Sequence, residues 1–93
     1  MAAFTTRVEL HHANEDDYET LHAAMEQRGF SRFITGDGGT TYHLPTAEYD
    51  YDGSTTRSAV LALAKAAANE TNRKYAVLVT EAKGRTWYGL AKT

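Results

Sequence analysis

Residues 14–29, which read NEDDYETLHAAMEQRG, are the most clearly patterned stretch of this 93-residue chain. Asn14 is a good helix N-cap, and the three acids that follow it are favoured at the positive end of a helix. A stripe of side chains then recurs at positions i, i+3, i+4 and i+7, namely Tyr18, Leu21, His22 and Met25. Gly29 is suited to end the helix, because glycine readily adopts a positive φ. The stretch therefore predicts an amphipathic helix with one buried face.

Segments with the character of β-strands stand on both sides of this helix. Residues 4–10 alternate between apolar and polar side chains, and residues 30–35 are rich in aromatic and β-branched types. The glycines of residues 36–39 predict a hairpin turn. Residues 40–44 then return as a third strand, which Pro45 ends because proline cannot donate to a ladder.

The rest of the chain contains a second helix and further strands. Residues 46–53 (TAEYDYDG) predict a loop by their composition, in which residues 48–51 could make a few ladder bonds. A second helix is expected to begin near Ser54 or Thr55, and its alanine-rich stripe permits close approach to a sheet. Residues 74–81 are apolar on both faces and form the strongest candidate strand. Residues 85–90 are expected to add a short closing strand.

The order of these elements predicts an α+β fold with a single domain over residues 1–93. Strand, helix, strand, strand, helix, strand is the ferredoxin-like βαββαβ pattern, in which two helices cover one face of a four-stranded antiparallel sheet. The other face, with Arg7, Glu9 and Phe33 among its expected residues, would be open to solvent. Because the chain is short and its expected surface includes aromatic residues, we expect a homodimer formed through sheet edges or through this open face.

Composition and charge exclude several classes of protein. The chain has 10 basic and 12 acidic residues and no cysteine, which excludes disulfides, thiol catalysis and cysteine zinc sites. The sequence contains neither a phosphate-binding glycine loop nor a serine-hydrolase or zinc-protease motif. It shows no signal peptide or membrane-spanning run, so we expect a cytoplasmic protein that does not enter a membrane. The net charge of −2 is uneven, since residues 1–56 carry −7 and residues 57–93 carry +5.

Two stretches carry candidate binding chemistry. Residues 83–88 (KGRTWY) combine bases with aromatic side chains, a composition that binds phosphates and stacks bases but also anchors protein interfaces. Residues 48–52 (EYDYD) alternate acids with tyrosines and are open to three interpretations: a contact surface, Mg²⁺ ligands or a turn. His11 and His12 are a further metal candidate, although adjacent residues of a strand point to opposite faces. We expect no metal site and no cofactor.

His22 lies inside the stripe of the first helix. Its position suits a half-buried structural histidine, but histidine also titrates near neutral pH and is a common general acid–base group.

In their order along the chain, these features resemble the GhoS-like antitoxins of type V toxin–antitoxin systems. The resemblance covers about residues 4–81 and rests on Tyr18, Leu21, Met25, Phe30, Ser31, Leu44 and Tyr49. Those antitoxins are ferredoxin-like and share their fold with the small CRISPR-associated nucleases of spacer acquisition. The resemblance implies metal-independent endoribonuclease cleavage of the toxin's messenger RNA.

The resemblance also implies roles for individual residues. His22 stands where the family has a basic residue tied to its activity, and it is therefore the candidate catalytic residue. Tyr49 matches an aromatic residue after the third strand and would stack a base. The spacer-acquisition relatives carry a metal-binding aspartate where this chain has His11 and His12. The predicted function is thus a small regulatory protein that binds or cleaves RNA. The residues expected to contact RNA are Arg28, Tyr49, Arg57, Lys83, Arg85 and Trp87.

An alternative of a different class is a non-catalytic protein-binding module, such as an inhibitor encoded by a phage or mobile element. It would engage a basic partner surface through the acidic, tyrosine-rich segment. That segment comprises Glu48, Tyr49, Asp50, Tyr51 and Asp52. The net negative charge of residues 1–56 favours this alternative. If the bases of residues 57–93 form one continuous patch on the folded surface, RNA binding is favoured. If the acids form the larger continuous face, the protein-binding module is favoured.

Overall fold

The computed structural model describes residues 2–93 and contains two helices and five strands. In chain order the elements are β1 (Ala2–Leu10), α1 (Glu15–Gln27), β2 (Phe33–Thr35), β3 (Thr41–His43), β4 (Glu48–Gly53), α2 (Arg57–Asn69) and β5 (Tyr75–Ala82). Neither helix of the described residues has the length and apolarity needed to cross a membrane.

The main sheet has three antiparallel strands in the order β4-β1-β5. Thr6, in the middle of β1, faces Tyr49 on one side and Val79 on the other. Ser31 extends this sheet beyond β4, because its backbone exchanges hydrogen bonds of 2.9 and 2.7 Å with Asp50. The segment after α1 thereby takes the place of the second ferredoxin strand. The expected α+β fold with a ferredoxin-like arrangement is confirmed, but the main sheet has three strands instead of the four expected, because the segment after α1 contributes one bridge at Ser31.

The loop predicted for residues 46–53 is wrong for six of its eight residues, because residues 48–53 form β4. Tyr49 and Tyr51 face the helices, whereas Asp50 and Asp52 face the opposite side of the sheet. This alternation is the period of two that a half-buried strand requires. The aspartates and Gly53 gave the segment the composition of a loop and concealed its periodicity.

The expected third strand does form, but it does not join the main sheet. β3 pairs with β2 in a separate two-stranded hairpin, with Ile34 opposite Tyr42. The closing strand predicted for residues 85–90 is wrong, since this segment is irregular. Strand-like pairing occurs further on, where backbone bonds from His43 to Ala91 and from Thr93 to Thr41 attach the C-terminus to β3.

Both helices begin with side-chain caps and pack on the same face of the sheet. Asn14 accepts a 2.9 Å bond from the Asp17 backbone, while the Asp17 carboxylate accepts from the Asn14 backbone. Thr56 caps α2 through a 3.2 Å bond from Ala59, so this helix starts slightly later than the sequence suggests. The core lies between the helices and this face. Its largest fully buried side chains are Tyr49, Phe4, Leu21, Met25, Val8 and Val60.

Candidate functional site

A cleft of about 510 Å³ separates the β2–β3 hairpin from the chain that follows β5. Residues 34–38, with Thr40 and Tyr42, line the hairpin side. Residues 82–87 line the other side, and Ala3 lies at the end of the sheet between them. Three of the residues expected to contact RNA, namely Lys83, Arg85 and Trp87, therefore share one cleft.

Arg85 anchors this part of the chain to the open face of the sheet. Its Nε donates to Thr5 Oγ1 at 2.8 Å, and its Nη2 donates to the Phe4 carbonyl oxygen at 3.0 Å. Nη2 also lies 2.7 Å from Asp50 Oδ1, in an ion pair whose side chains are only 20% and 15% exposed. Most of the guanidinium's hydrogen-bonding capacity is used inside the protein. Arg85 therefore holds the wall of the cleft in place, and its charge is paired with that of Asp50.

The carboxyl group of Asp50 is in an unusual electrostatic environment. Burial raises its pKa above the ordinary value, and the neighbouring Asp52 raises it further, whereas Arg85 acts in the opposite direction. A buried carboxylate is costly without a cationic partner, since burial disfavours the charged form. The ion pair with Arg85 thus compensates for part of the burial of Asp50.

Trp87 forms the aromatic part of the cleft. Its ring makes an edge-to-face contact with Tyr42, with centroids 5.4 Å apart. A Cβ atom at Gly36 would lie 3.3 Å from the indole, so a glycine in the turn permits this close approach. Trp87 is half-buried and Lys83 is exposed. The cleft therefore combines an exposed ammonium group with a supported aromatic ring, which is the chemistry that holds a phosphate beside a base.

His22 opens onto a different depression, lined by Asn14, Tyr18, Glu19 and Thr46 among others. Its Nδ1 lies 2.6 Å from the hydroxyl oxygen of the buried Tyr49. Burial, followed by the charge of Arg32, lowers the pKa of His22 below its ordinary value of 6.5. The imidazole is therefore neutral at pH 7.

Tyr49 is the largest fully buried side chain of the protein, with 0% exposure. Burial raises the pKa of its hydroxyl, which remains protonated at neutral pH. Its ring packs on Phe30 with centroids 6.3 Å apart. The expectation that Tyr49 stacks a base is wrong. Side chains alternate between the two faces of a strand, and in β4 this alternation directs Tyr49 into the core.

The other predicted contact residues lie apart from the cleft. Arg28 donates to the Ala24 carbonyl oxygen at 2.9 Å and pairs with Glu70 at 2.7 Å, so it links the two helices. Arg57 is exposed at the start of α2. The cleft therefore does not include Arg28, Arg57 or His22.

The acidic, tyrosine-rich segment is not the contact loop that the alternative hypothesis assumed. It is strand β4, in which Tyr49 is fully buried and Tyr51 packs against Phe4 and Phe30. The acids lie on the open face: Glu48 opposite Arg7, Asp50 opposite Thr5 and Asp52 opposite Ala3. Since Asp50 is paired with Arg85 and largely buried, Glu48 and Asp52 are the acids of the segment that remain for a partner.

Sequence reasoning missed the hairpin side of the cleft. The glycines at 36–39 indicated a turn correctly, but nothing local indicated that Tyr42 would support Trp87 across 45 residues of chain. The one useful signal was the glycine-rich turn itself, because a turn without side chains lets a large ring such as Trp87 approach its backbone closely.

No protein-family model matches the chain, and no curated protein matches its sequence. Within residues 2–93, no three histidine, aspartate or glutamate side chains are grouped so that they could hold a metal ion. The chemistry of the cleft is therefore the basis for a functional assignment.

Proposed function

We propose that this protein is a small RNA-binding regulator, similar in role to the GhoS-like antitoxins, and that it holds single-stranded RNA in the cleft between the hairpin and residues 82–87. The observation that carries the proposal is the presence of Lys83 and Trp87 on one side of a single cleft. An ammonium group attracts the phosphate backbone, and an indole stacks on a base of any sequence.

The cleft suits a single strand better than a duplex. Bases of a single strand are free to stack on aromatic side chains, whereas bases of a duplex are already stacked on one another. Trp87 is half-buried and lines the cleft, and its ring packs against Tyr42. A held ring loses less conformational entropy when a base stacks on it.

The proposal concerns RNA binding, and cleavage is a separate question. His22 is bonded to Tyr49 and opens onto another depression, outside the cleft. RNA cleavage that is abolished by His22→Ala, with binding in the cleft retained, would assign an endoribonuclease role to His22.

The fluorescence of Trp87 provides a direct test, because it is the only tryptophan of the chain. We expect titration with a short unstructured RNA to quench its emission, and we expect Lys83→Ala to weaken binding. Lys83→Ala should also lower the slope of log K against log salt by about 0.7, the value for one phosphate contact on a single strand.

Lys65→Ala is the matched control, since Lys65 is an exposed lysine on α2 that does not line the cleft. RNA that binds without changing Trp87 emission would refute the cleft as the binding site. Equal effects of Lys83→Ala and Lys65→Ala would refute the role of Lys83. Absence of binding even at low salt would refute the RNA-binding function.

A second candidate function is protein binding through the acidic side of β4. Glu48, Asp50 and Asp52 share the open face of one strand, and Asp52 is exposed. Recovery of a protein partner from nuclease-treated host lysate by the wild type, but not by a Glu48→Gln/Asp52→Asn variant, would favour this function over RNA binding.

A further inference from the structure

We infer that the depression beside His22 is a recognition site for a guanine base, which the imidazole of His22 and the carboxylate of Glu19 hold by its Watson–Crick edge. The depression has a volume of about 600 Å³, which is within the usual range of about 300–1,000 Å³ for ligand sites. Its lining includes Tyr18 from α1 and Thr46 from the segment before β4. It is separate from the cleft beside residues 82–87, so this inference does not rest on the proposed RNA-binding cleft.

The contact between His22 and Tyr49 determines which ring nitrogen of His22 carries the proton. Tyr49 is fully buried, and within residues 2–93 its hydroxyl group has His22 Nδ1 as its single hydrogen-bond partner, at 2.6 Å. The hydroxyl group is protonated, because burial raises its pKa. If Nδ1 donated to it, the hydroxyl hydrogen would be enclosed without an acceptor, which is unfavourable. The Tyr49 hydroxyl therefore donates to Nδ1, and the neutral ring carries its proton on Nε2.

The Nε2–H group is the part of His22 that remains for a ligand. Nε2 forms no hydrogen bond within the described residues. It is also not one of the polar atoms that this part of the chain encloses without a partner, so it is accessible although His22 is only 8% exposed. Since His22 lines the depression, the ring presents one fixed, neutral donor to whatever occupies it.

Glu19 supplies hydrogen-bond acceptors beside this donor. Glu19 and His22 are three residues apart on α1, and residues at this spacing are neighbours on one face of a helix. The charge of Glu19 acts on the imidazole and raises its pKa, whereas burial lowers it more strongly. Glu19 is exposed and lines the same depression. The site therefore offers one N–H donor next to two carboxylate oxygens, which accept hydrogen bonds and cannot donate them.

Guanine is the nucleobase that matches this order of donor and acceptors. Its Watson–Crick edge presents a carbonyl oxygen, O6, followed by two donors, N1–H and N2–H. O6 would accept from His22 Nε2, and the carboxylate of Glu19 would accept from N1–H and N2–H in a pair of charge-assisted bonds. Each of the other three bases would place an acceptor against the carboxylate or an amino group against Nε2–H.

Tyr18 provides an aromatic ring against which the base can stack. Its hydroxyl oxygen accepts a 3.2 Å bond from the Leu10 backbone, and its ring centroid is 6.4 Å from that of His22. Stacking on aromatic side chains, together with hydrogen bonds to the Watson–Crick edge, is the usual way in which unpaired bases are recognised. Glu15 also lines the depression and would repel a phosphate, so the sugar-phosphate part of a nucleotide would lie outside.

NMR of the histidine rings tests the donor directly. Long-range ¹H–¹⁵N spectra distinguish the Nε2–H form, the Nδ1–H form and the imidazolium, and His22→Leu identifies the signals of His22. We expect the Nε2–H form at pH 7.5. The Nδ1–H form would overturn the proposal, because Nε2 would then be an acceptor that opposes O6 of guanine.

Titration with guanosine, followed through the same His22 signals, tests the ligand. Guanosine is the probe because it has no phosphate. We expect saturable shifts with a dissociation constant of about 1 mM or below. Inosine lacks the N2 amino group and should bind about tenfold more weakly, and adenosine should leave the His22 signals unchanged.

Glu19→Gln tests the acceptor without placing the fold at risk, because Glu19 is exposed. We expect it to weaken guanosine binding about tenfold and to reduce the preference for guanosine over inosine, since N2–H loses its charged acceptor. Glu26→Gln is the matched control, because Glu26 is an exposed glutamate of α1 that does not line the depression.

The RNAs UUGUU and UUAUU identify the source of the base. A shift of the His22 signals by UUGUU and not by UUAUU would support the site with single-stranded RNA as the source. Binding of guanosine without binding of UUGUU would support the site with a free nucleoside as the source. Trp87 emission reports on the cleft and the His22 signals report on the depression, so failure of one site is distinguishable from failure of the other.

Three results would refute the guanine site. The first is the absence of any change in the His22 signals at about 1 mM guanosine, the concentration that half-saturates a site of millimolar affinity. The second is equal binding of guanosine and adenosine. The third is an equal effect of Glu19→Gln and Glu26→Gln on guanosine binding.

Discussion

Removing the hydroxyl group of Tyr49 is expected to destabilise the protein well beyond the loss of one oxygen atom. Tyr49 is 0% exposed, and His22 is 8% exposed. The bond of 2.6 Å between them satisfies polar atoms of both side chains. Tyr49→Phe keeps the ring in the core but leaves His22 Nδ1 without this partner.

The magnitude follows from the cost of an unpaired buried polar group. Leaving such a group without its hydrogen bond costs about 1–3 kcal/mol. For a domain of about 60–100 residues, each kcal/mol corresponds to about 4–8 °C in Tm. We therefore expect Tyr49→Phe to lower the free energy of unfolding by about 2 kcal/mol, with a decrease of about 10 °C in Tm.

Urea denaturation at pH 7.5, followed by CD, measures this effect. Tyr51→Phe is the control, because Tyr51 belongs to the same strand and packs near the same core without contributing to the bond with His22. A double-mutant cycle with His22→Leu isolates the interaction. Since removing both polar partners also removes the unpaired group, the double variant should lose less stability than the sum of the single variants.

Two results would contradict this reasoning. The first is a Tyr49→Phe variant that is no less stable than Tyr51→Phe. The second is additivity within about 0.3 kcal/mol across the cycle, which is the behaviour of independent sites. Either result would mean that the short contact between His22 and Tyr49 does not contribute to stability.

Three further predictions concern pH, the cleft wall and a helix cap. Burial lowers the pKa of His22, so as pH falls below 6.5 the imidazole is protonated in the unfolded chain before it is protonated in the folded protein. The free energy of unfolding should therefore decrease as pH falls toward and through the pKa of the folded state. His22→Leu should remove this contribution to the pH dependence of stability measured by urea denaturation. Arg85→Ala should raise the pKa of Asp50 further and lower the free energy of unfolding by about 1–3 kcal/mol. It should also make the fluorescence of Trp87 more sensitive to acrylamide quenching. Unchanged quenching would contradict the anchoring role of Arg85. Thr56→Ala should lower the free energy of unfolding, measured by urea denaturation, by about 1 kcal/mol because α2 loses its N-terminal cap. Thr55→Ala is the control, and an equal loss of stability in that variant would contradict a specific cap at Thr56.

The helices and the strands that flank the core were predictable because their signals are local. The cap at Asn14, the acids after it and the stripe through Met25 all belong to one short segment, and α1 follows them closely. The alternating residues of β1 likewise indicate its buried face, where Phe4 and Val8 are fully buried. β4 was missed although Tyr49 and Tyr51 alternate with acids, since turn-forming composition outweighed a short period-two pattern.

The candidate cleft was predictable only in part. Lys83, Arg85 and Trp87 were recognisable as a basic and aromatic group because they lie within five residues. Their grouping with His22, Arg28 and Arg57 into one RNA-binding site was an assumption about distant segments. Arg28 instead links the helices through Glu70, and Tyr49 fills the core.

The sequence by itself determined which segments form helices, which face of each is apolar and the α+β class of the fold. Those properties depend on backbone preferences and side-chain periodicity within about ten residues of chain. Only the tertiary structure decided that Arg85 pairs with Asp50, that Trp87 packs on Tyr42 and that residues 91–93 pair with β3. Each of these contacts joins segments more than 30 residues apart. Their formation depends on how the whole chain buries its apolar surface and satisfies its buried polar groups, which no local pattern encodes.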